Sequence, residues 1–114
     1  MVLDYLNKEN TLTLYCIFIS GEKGASYKDV EEKSKGRLME NKIKRSIAVL
    51  LNREIIIDTG RCSVRYTKSG PKWHNVYRVS DKMMKDVTEH LSERHDVYAY
   101  LESLEFNDNQ KTSK

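Results

Sequence analysis

Three histidines and two cysteines are the residues of this chain best suited to acid-base, nucleophilic or metal chemistry near neutral pH. His90 and His95 are five residues apart, so one helix does not present them on the same face. Cys62 and His74 fall on opposite arms of a predicted hairpin and are a conceivable pair of metal ligands, but they lack further ligands. No HExxH, CxxC or GxSxG pattern is present. We therefore predict that the chain is not an enzyme and has no catalytic centre, metal or cofactor.

Basic residues are the other group with a clear chemical use, and they are concentrated in one part of the chain. The whole chain has a formal net charge of only +3, from 20 Lys and Arg against 17 Asp and Glu. Residues 33–78 contain twelve basic and three acidic residues, a local charge of +9, which leaves −6 on the rest. A one-signed basic surface is typical of nucleic-acid binding, because Lys and Arg release the counterions condensed on phosphates. The alternative is that these charges only solvate the surface.

The elements that position these side chains are expected to form a single domain. The chain has 114 residues, of which 39% are hydrophobic and 32% charged, so it can bury one core without disulfides or a metal. The longest apolar run, 14–19, is far shorter than the ~20 residues that a membrane helix needs. The first residues lack the basic and apolar regions of a secretory signal. We expect a cytoplasmic protein with reduced thiols and no contact with a membrane.

Two helices are predicted before the basic block. The range 12–19 has apolar residues at the i, i+3, i+4, i+7 spacing of a helix, with Asn10 or Thr11 as the N-cap. The same range also alternates and is rich in β-branched and aromatic residues, so a strand remains an alternative. Ser26 and Asp29 have the spacing of a capping box that begins a short second helix.

The clearest helix is predicted over residues 38–53. At 100° per residue, one stripe of this helix is apolar and consists of Met39, Ile43, Ile47, Leu50 and Leu51. The opposite face carries Asn41, Lys42, Arg45, Ala48 and Asn52. We expect the apolar stripe to pack on the core and the polar face to contact solvent or a partner.

A β-hairpin with a basic tip is predicted directly after this helix. Residues 55–57 have high β-propensity, and 61–67 and 73–79 alternate with period two around 68–72. One face of the first arm carries Cys62, Val64 and Tyr66, and the other face carries Arg61, Ser63 and Arg65. This alternation is typical of a ribbon packed on one side only. Trp73, next to the tip, is predicted to pin the hairpin to the core, and the alternative is that it stacks on a sugar or base.

A final helix is predicted over 82–106, with Ser80 or Asp81 as its N-cap. Its apolar stripe consists of Met84, Val87, Leu91, Tyr98 and Leu101. Because this stripe is wider than one small domain needs, we expect it to pair two copies of the chain in a homodimer. The alternative is that the helix packs on the chain's own first helix. Residues 107–114 contain no apolar side chain and are expected to form a disordered polar tail.

The order of these elements resembles a winged-helix domain, which is a helix-turn-helix variant with a β-hairpin wing. The resemblance covers about residues 11–106, and its local part is the segment 43–56, IKRSIAVLLNREII. This segment resembles the end of the recognition helix and the start of the wing in small MarR-like regulators of archaea and archaeal viruses. The resemblance implies an α+β fold with a three-helix core, a wing and a long C-terminal helix. It also implies sequence-specific binding of double-stranded DNA by a transcriptional regulator, in the host cytoplasm if the protein is viral.

The resemblance and the helical wheel together indicate which side chains contact DNA. The second helix of such a motif lies in the major groove, where side chains of its outer face reach base edges. The predicted base contacts are Asn41, Lys42, Arg45 and Ala48. The predicted backbone contacts are Lys35, Arg37, Lys44, Arg61, Arg65, Lys68 and Lys72.

Two other kinds of partner remain open from the residues alone. One is an acidic protein docked on the basic face of a winged-helix interaction module. The other is RNA, stacked on Tyr66, Trp73 and Tyr77. The sequence shows no sign of a small-molecule substrate.

Overall fold

Residues 2–92 form an α+β fold in the computed structural model, with helices before and after one two-stranded antiparallel sheet. The helices and strands of this range are α1 (Lys8–Phe18), α2 (Tyr27–Lys33), α3 (Glu40–Asn52), β1 (Ile56–Thr67), β2 (Gly70–Val79) and α4 (Met84–Ser92). Short 3-10 turns occur at Val2–Tyr5, Gly21–Lys23 and Asp81–Met83. The predicted α+β class is confirmed. The described residues do not include 93–106 of the predicted final helix, with Tyr98 and Leu101, or the predicted tail 107–114.

The first predicted element, α1, is a helix and not the alternative strand. Asn7 is its N-cap: the Asn7 side chain accepts from the backbone N–H of Asn10 at 2.8 Å, and the Asn10 side chain accepts from the Asn7 N–H at 3.3 Å. The predicted N-cap at Asn10 or Thr11 is therefore wrong, since both residues lie inside the helix. The Nδ2 of Asn10 also donates to the Oγ of Ser46 at 2.9 Å, and this buried bond ties α1 to α3.

A tight turn joins α2 to α3. The predicted capping box is confirmed, because the Oγ of Ser26 accepts from the Asp29 N–H at 3.3 Å while Oδ2 of Asp29 accepts from the Ser26 N–H at 2.9 Å. After α2, Lys35 (φ 56°) and Gly36 (φ 76°) adopt left-handed backbone conformations. The chain then reaches Met39, the N-cap of α3, and α2 and α3 pack against each other.

The end of α3 leads directly into the sheet through Glu54, which has a φ of 59°. The Glu54 N–H donates to the Leu51 carbonyl at 3.0 Å, and the Ile55 N–H donates to the Leu50 carbonyl at 2.9 Å. These bonds satisfy carbonyls that the last turn of the helix leaves unpaired. A non-glycine residue therefore occupies the left-handed position that turns the chain from α3 into β1.

The hairpin runs from a base at Ile56 and Val79 to a tip at Thr67 and Gly70. β1 is one continuous strand, whereas the alternation predicted two separate segments. The strand contains an irregularity at 59–61, where the register shifts between the two paired stretches. This irregularity interrupts the alternation of the sequence but not the strand. The tip is a two-residue turn, shorter than predicted, and the rest of the predicted loop belongs to β2.

The base of β2 is paired on its outer edge as well. Ala25 and Tyr77 exchange backbone hydrogen bonds of 2.8 and 2.9 Å, which attaches the segment before α2 to the hairpin. Gly24 precedes this bridge with a φ of +77°, and a Cβ on it would lie 2.5 Å from the Tyr77 carbonyl oxygen. Only glycine fits this close approach of two backbones.

The core lies between α1, α3, α4 and the base of the hairpin. Its fully buried large side chains include Leu14, Ile17, Ile43, Leu50, Ile55, Val87 and Leu91. Val87 and Leu91 are thus core residues of the single chain, and the prediction that they pair two protomers is wrong. They are buried because α4 packs on the chain's own N-terminal turn, Val2–Tyr5. Among the described helices, none has the length and apolar character needed to cross a membrane.

Candidate nucleic-acid interface

The exposed face of α3 carries the side chains predicted to contact bases. Asn41, Lys42, Arg45 and Ala48 are all exposed. The side chains of Ile43, Ile47 and Leu50, on the core-facing side of the same helix, are buried. Met39 is the exception to the predicted apolar stripe. It is 71% exposed, because it is the N-cap of α3 and lies before the first helical turn.

The cations of this face differ in their partners. The Nζ of Lys42 lies 3.3 Å from Oε1 of Glu9, and the Nζ of Lys44 lies 3.5 Å from Oε2 of Glu40. Lys44 also lies over the Tyr27 ring, 4.8 Å from its centroid. Exposed ion pairs of this kind contribute about 0–1 kcal/mol, so a phosphate competes with them easily. Arg45 makes no ion pair or hydrogen bond within residues 2–92.

Arg65, predicted to contact the DNA backbone, is instead bound inside the chain. Its Nη2 donates to Oδ1 of Asp29 at 2.7 Å, and its Nη1 pairs with Glu32. Partial burial alone would raise the pKa of the Asp29 carboxyl, but hydrogen bonds from Ser26 and Arg65 outweigh it and keep that pKa below its ordinary value. These contacts join β1 to α2, so Arg65 braces the hairpin against α2. The two carboxylates also neutralise the charge of Arg65. The predicted contact of Arg65 with the DNA backbone requires it to exchange these carboxylates for a phosphate.

A partial signal for this brace was present in the sequence. Asp29 and Glu32 are three residues apart, so a helix places both carboxylates on one face. Nothing local indicated that a hairpin arginine 36 residues from Asp29 would be their partner. The sequence analysis therefore missed both acidic residues as parts of the site.

The remaining predicted backbone cations lie around the edges of α3 and along the hairpin. Arg61 donates to the backbone carbonyls of Glu22 and Lys23 at 2.9 and 3.4 Å, which holds its guanidinium beside the turn before α2. Lys35 and Arg37 are exposed in the turn between α2 and α3. Lys68 and Lys72 are exposed at the hairpin tip. Within residues 2–92, neither Lys68 nor Lys72 has an ion-pair partner.

An open groove of about 400 Å³ separates α3 from β2. Its lining residues are Tyr27, Lys44, Ile47, Ala48, Leu51, Trp73, His74, Asn75 and Tyr77. The Tyr27 and His74 rings meet edge to face with centroids 4.9 Å apart, which packs the hairpin against the start of α2. The groove thus joins the exposed face of α3 to the hairpin in one continuous surface.

The outer part of the hairpin exposes aromatic side chains. Trp73 is 67% exposed and Tyr66 is 82% exposed, so the prediction that Trp73 pins the hairpin to the core is wrong. Arg65 and His74 make the inward contacts instead, through Asp29 and Tyr27. Polar and charged side chains therefore attach this ribbon, and its apolar face contacts solvent.

The described residues include two cysteines with different surroundings. Within residues 2–92, no three His, Cys, Asp or Glu side chains are grouped to hold a metal ion. Burial raises the pKa of the Cys16 thiol to about 12, which keeps it protonated and unreactive. Cys62 lies beside Asn75, with its Sγ 3.6 Å from Oδ1. The groups that α3 and the hairpin expose include cations, amides and aromatic rings.

No family model, curated protein or solved structure matches this chain.

Proposed function

We propose that this chain is a winged-helix protein that binds double-stranded DNA and regulates transcription. The order α1, α2, turn, α3, hairpin and α4 supports this proposal, with α2 and α3 as the helix-turn-helix and the β1–β2 hairpin as the wing. The single-residue bridge between Ala25 and Tyr77 supports it further, because it joins the segment before α2 to the wing. In this arrangement α3 is the recognition helix.

One observation carries the proposal: α3 exposes Arg45, which has no partner within residues 2–92, next to a basic wing. Of the five basic residues in 59–78, Arg65 and Arg78 pair with the carboxylates of Asp29, Glu32 and Asp81, which leaves Arg61, Lys68 and Lys72 without an ion pair within residues 2–92. A major groove about 12 Å wide admits one helix, so α3 can enter it while the wing lies along the neighbouring backbone. An arginine without an internal partner, with three further cations on the hairpin that follows its helix, is the arrangement expected for an anionic duplex.

The exposed side chains of α3 have distinct roles in this proposal. Arg45 donates to guanine and Asn41 bonds to adenine, since both side chains can make paired hydrogen bonds to those bases. Ala48 is small enough to let the helix approach the bases or to contact a thymine methyl group. Lys42 contributes as well after exchanging its ion pair with Glu9 for a DNA contact.

Phosphate contacts position the helix in the groove. Lys44 lies beside the groove between α3 and the wing, and Lys68 and Lys72 lie at the wing tip. Lys35 and Arg37 lie in the turn before α3. These contacts carry no sequence information, but each one releases counterions and adds to the salt dependence of binding.

The test is a titration of duplex DNA over a range of salt concentrations. We expect affinity to fall steeply with salt, and Arg45→Ala to weaken binding to the preferred sequence by about 1–3 kcal/mol and to relax specificity at one position. Lys85→Ala, which removes one positive charge from the exposed side of α4, is the control and should bind as the parent does. Binding that is independent of salt, or that survives Arg45→Ala unchanged, would contradict the proposal.

The proposal includes a homodimer, since a two-fold pair presents two recognition helices to half-sites about one helical turn apart. Met84 is 37% exposed on α4 and is available to a second copy. Tyr98 and Leu101 are the other proposed contacts. Sedimentation of the full chain tests this part of the proposal. A monomer at micromolar concentration that still binds DNA would contradict the proposed dimer and leave the proposed DNA binding standing.

A further inference from the structure

The wing exposes an apolar face that no contact with the rest of the described chain explains. The register pairs Val64 with Trp73 and Tyr66 with Pro71, and alternation along each strand places these four residues on one side of the ribbon. We call them the aromatic wing face. With Tyr66 82% and Trp73 67% exposed, two large rings are presented together to solvent. Clustered exposure of this kind marks a binding surface more often than isolated exposed side chains do.

Tyr66 and Trp73 are near each other on the ribbon. Tyr66 and Trp73 are diagonal neighbours across the two strands, and such neighbours lie about 7–8 Å apart. Successive bases of a strand are about 3.4 Å apart, so a base stacked between two rings needs about 7 Å. Two rings attached at this backbone spacing are close enough to contact bases of the same strand.

The charges around this face select among possible occupants. Lys68 lies in the turn at the end of this face, whereas Lys72 projects from the opposite side of β2 with Arg65, and neither lysine has an ion pair within residues 2–92. A second copy of the chain would bring the same cations against themselves. An anionic strand with stackable bases satisfies both the cations and the rings, which is the combination that single-stranded nucleic acids use.

The aromatic wing face is also continuous with the proposed duplex surface. Trp73 lines the groove along α3 together with Lys44 and Ala48. A strand that leaves a duplex held by α3 would reach Trp73 first and Tyr66 next, further towards the tip. In a fully paired duplex the bases are stacked on each other, and their faces are not available to these rings.

We infer that the aromatic wing face binds unpaired DNA bases, so that the protein prefers a duplex interrupted by unpaired bases to a fully paired one. This inference rests on the proposed contact of α3 with duplex DNA. Trp73 supplies one stacking surface, Tyr66 supplies the other, and Lys68 at the tip binds a phosphate of the displaced strand.

The experiment uses Trp73 as its own probe, because it is the sole tryptophan of the chain. The full chain is titrated with a paired duplex, with the same duplex carrying an internal loop of thymines, and with single-stranded oligothymidine. We expect the looped duplex to bind about 10-fold more tightly than the paired one and to quench Trp73 fluorescence more strongly. Tyr66→Ala should remove most of this preference, and Tyr5→Ala, which removes an equally exposed tyrosine away from the wing, should keep it.

Trp73→Ala and Trp73→Phe extend the test with labelled DNA as the reporter. Alanine should weaken binding to the looped duplex by about 10-fold, and phenylalanine, which keeps a stacking face, should retain most of the affinity. Circular dichroism checks that each variant is folded, which is expected because both aromatic side chains are largely outside the core.

The results separate this inference from the proposed function. Equal affinity for paired and looped duplexes, with Trp73 unquenched, overturns the inference and leaves duplex binding standing. Quenching by oligothymidine without binding of the paired duplex supports the aromatic wing face and contradicts the role of α3. Stronger quenching by oligouridine than by oligothymidine overturns the assignment to DNA. A fluorescence change with protein concentration alone indicates that a second copy occupies the face, and it also overturns the inference.

Discussion

Arg65 on the wing donates to Oδ1 of Asp29 at 2.7 Å, while Oδ2 of the same carboxylate accepts from the backbone N–H and Oγ of Ser26 at 2.9 and 3.1 Å. One carboxylate therefore caps α2 and also holds the wing. Because α2 packs on α3, this shared contact sets the position of the wing relative to the exposed face of α3.

The shared carboxylate predicts an acid-dependent loss of stability. Its pKa is lower in the folded chain than its ordinary value of 3.8, so its contribution is complete above that value and is lost as the pH falls through the folded pKa. Asp29→Asn should lower the free energy of unfolding at neutral pH and flatten its decline in acid, as urea unfolding at several pH values would show. Asp86→Asn removes a carboxylate from α4 and should leave the decline in place. An unchanged decline in Asp29→Asn would argue against the contact.

The two arms of the wing each carry a cation whose removal should affect the salt dependence of DNA binding differently. Lys72 is the cross-strand partner of Arg65 and has no ion pair within residues 2–92, whereas Arg65 lies between two carboxylates. Lys72→Ala should reduce the salt slope of DNA binding by about one, since it removes one phosphate contact. Arg65→Ala should leave this slope nearly unchanged and lower stability by about 1 kcal/mol. Fluorescence anisotropy with labelled duplex at several salt concentrations measures both slopes, and a larger slope change for Arg65→Ala would contradict its assignment as a brace.

Gly24 predicts a position where a methyl group is not tolerated. In Gly24→Ala the Cβ would approach the Tyr77 carbonyl oxygen and the Val76 Cγ1 within 2.5 and 2.8 Å, so the backbone bridge to the wing has to open. We expect a loss of at least about 2 kcal/mol in unfolding free energy. Gly36→Ala is a matched control, because Gly36 has a similar φ of +76° but open space around its Cβ position. It should cost only the strain of the left-handed backbone, about 1 kcal/mol, and equal losses would contradict the proposed clash.

Glu54 predicts a stabilising substitution. Its φ of 59° places a residue with a Cβ in the left-handed conformation that glycine adopts without strain. Glu54→Gly should raise the free energy of unfolding by about 0.5–1 kcal/mol, as chemical denaturation would show. The substitution also removes an exposed ion pair with Lys82 at 3.5 Å, which contributes little. Glu54→Gln removes the same charge and keeps the Cβ, so it should not be stabilising, and a destabilised Glu54→Gly would show that the ion pair matters more than the backbone strain.

The features that the sequence predicted correctly depend on neighbours along the chain. The capping box of Ser26 and Asp29 begins α2 because its two hydrogen bonds join residues three apart. The exposed face of α3, with Asn41 and Arg45, follows from the helical period and the buried Ile43 on the other side. Local spacing is sufficient for such features, because the atoms involved lie within one or two turns of helix.

The features that the sequence analysis predicted wrongly depend on distant neighbours. Alternation predicted that the ribbon packs on one side and placed Tyr66 and Arg65 on opposite faces, but only the contact of Arg65 with Asp29 shows that the face of Arg65 is turned inward. Val87 and Leu91 have the spacing of a pairing surface, yet they are buried where α4 packs on the N-terminal turn. Spacing predicts that a side chain will be buried, but not against which element.

The sequence by itself determined that a basic, polar helix face is followed by a hairpin with a basic tip, since charge and periodicity are properties of consecutive residues. Only the tertiary structure decided which cations are available to a ligand. Arg45 and Lys72 are free of ion pairs within residues 2–92, whereas Arg65 is neutralised by carboxylates of another helix. The physical reason is that an ion pair depends on the distance between two charges in space, and folding brings together residues that are far apart in the chain.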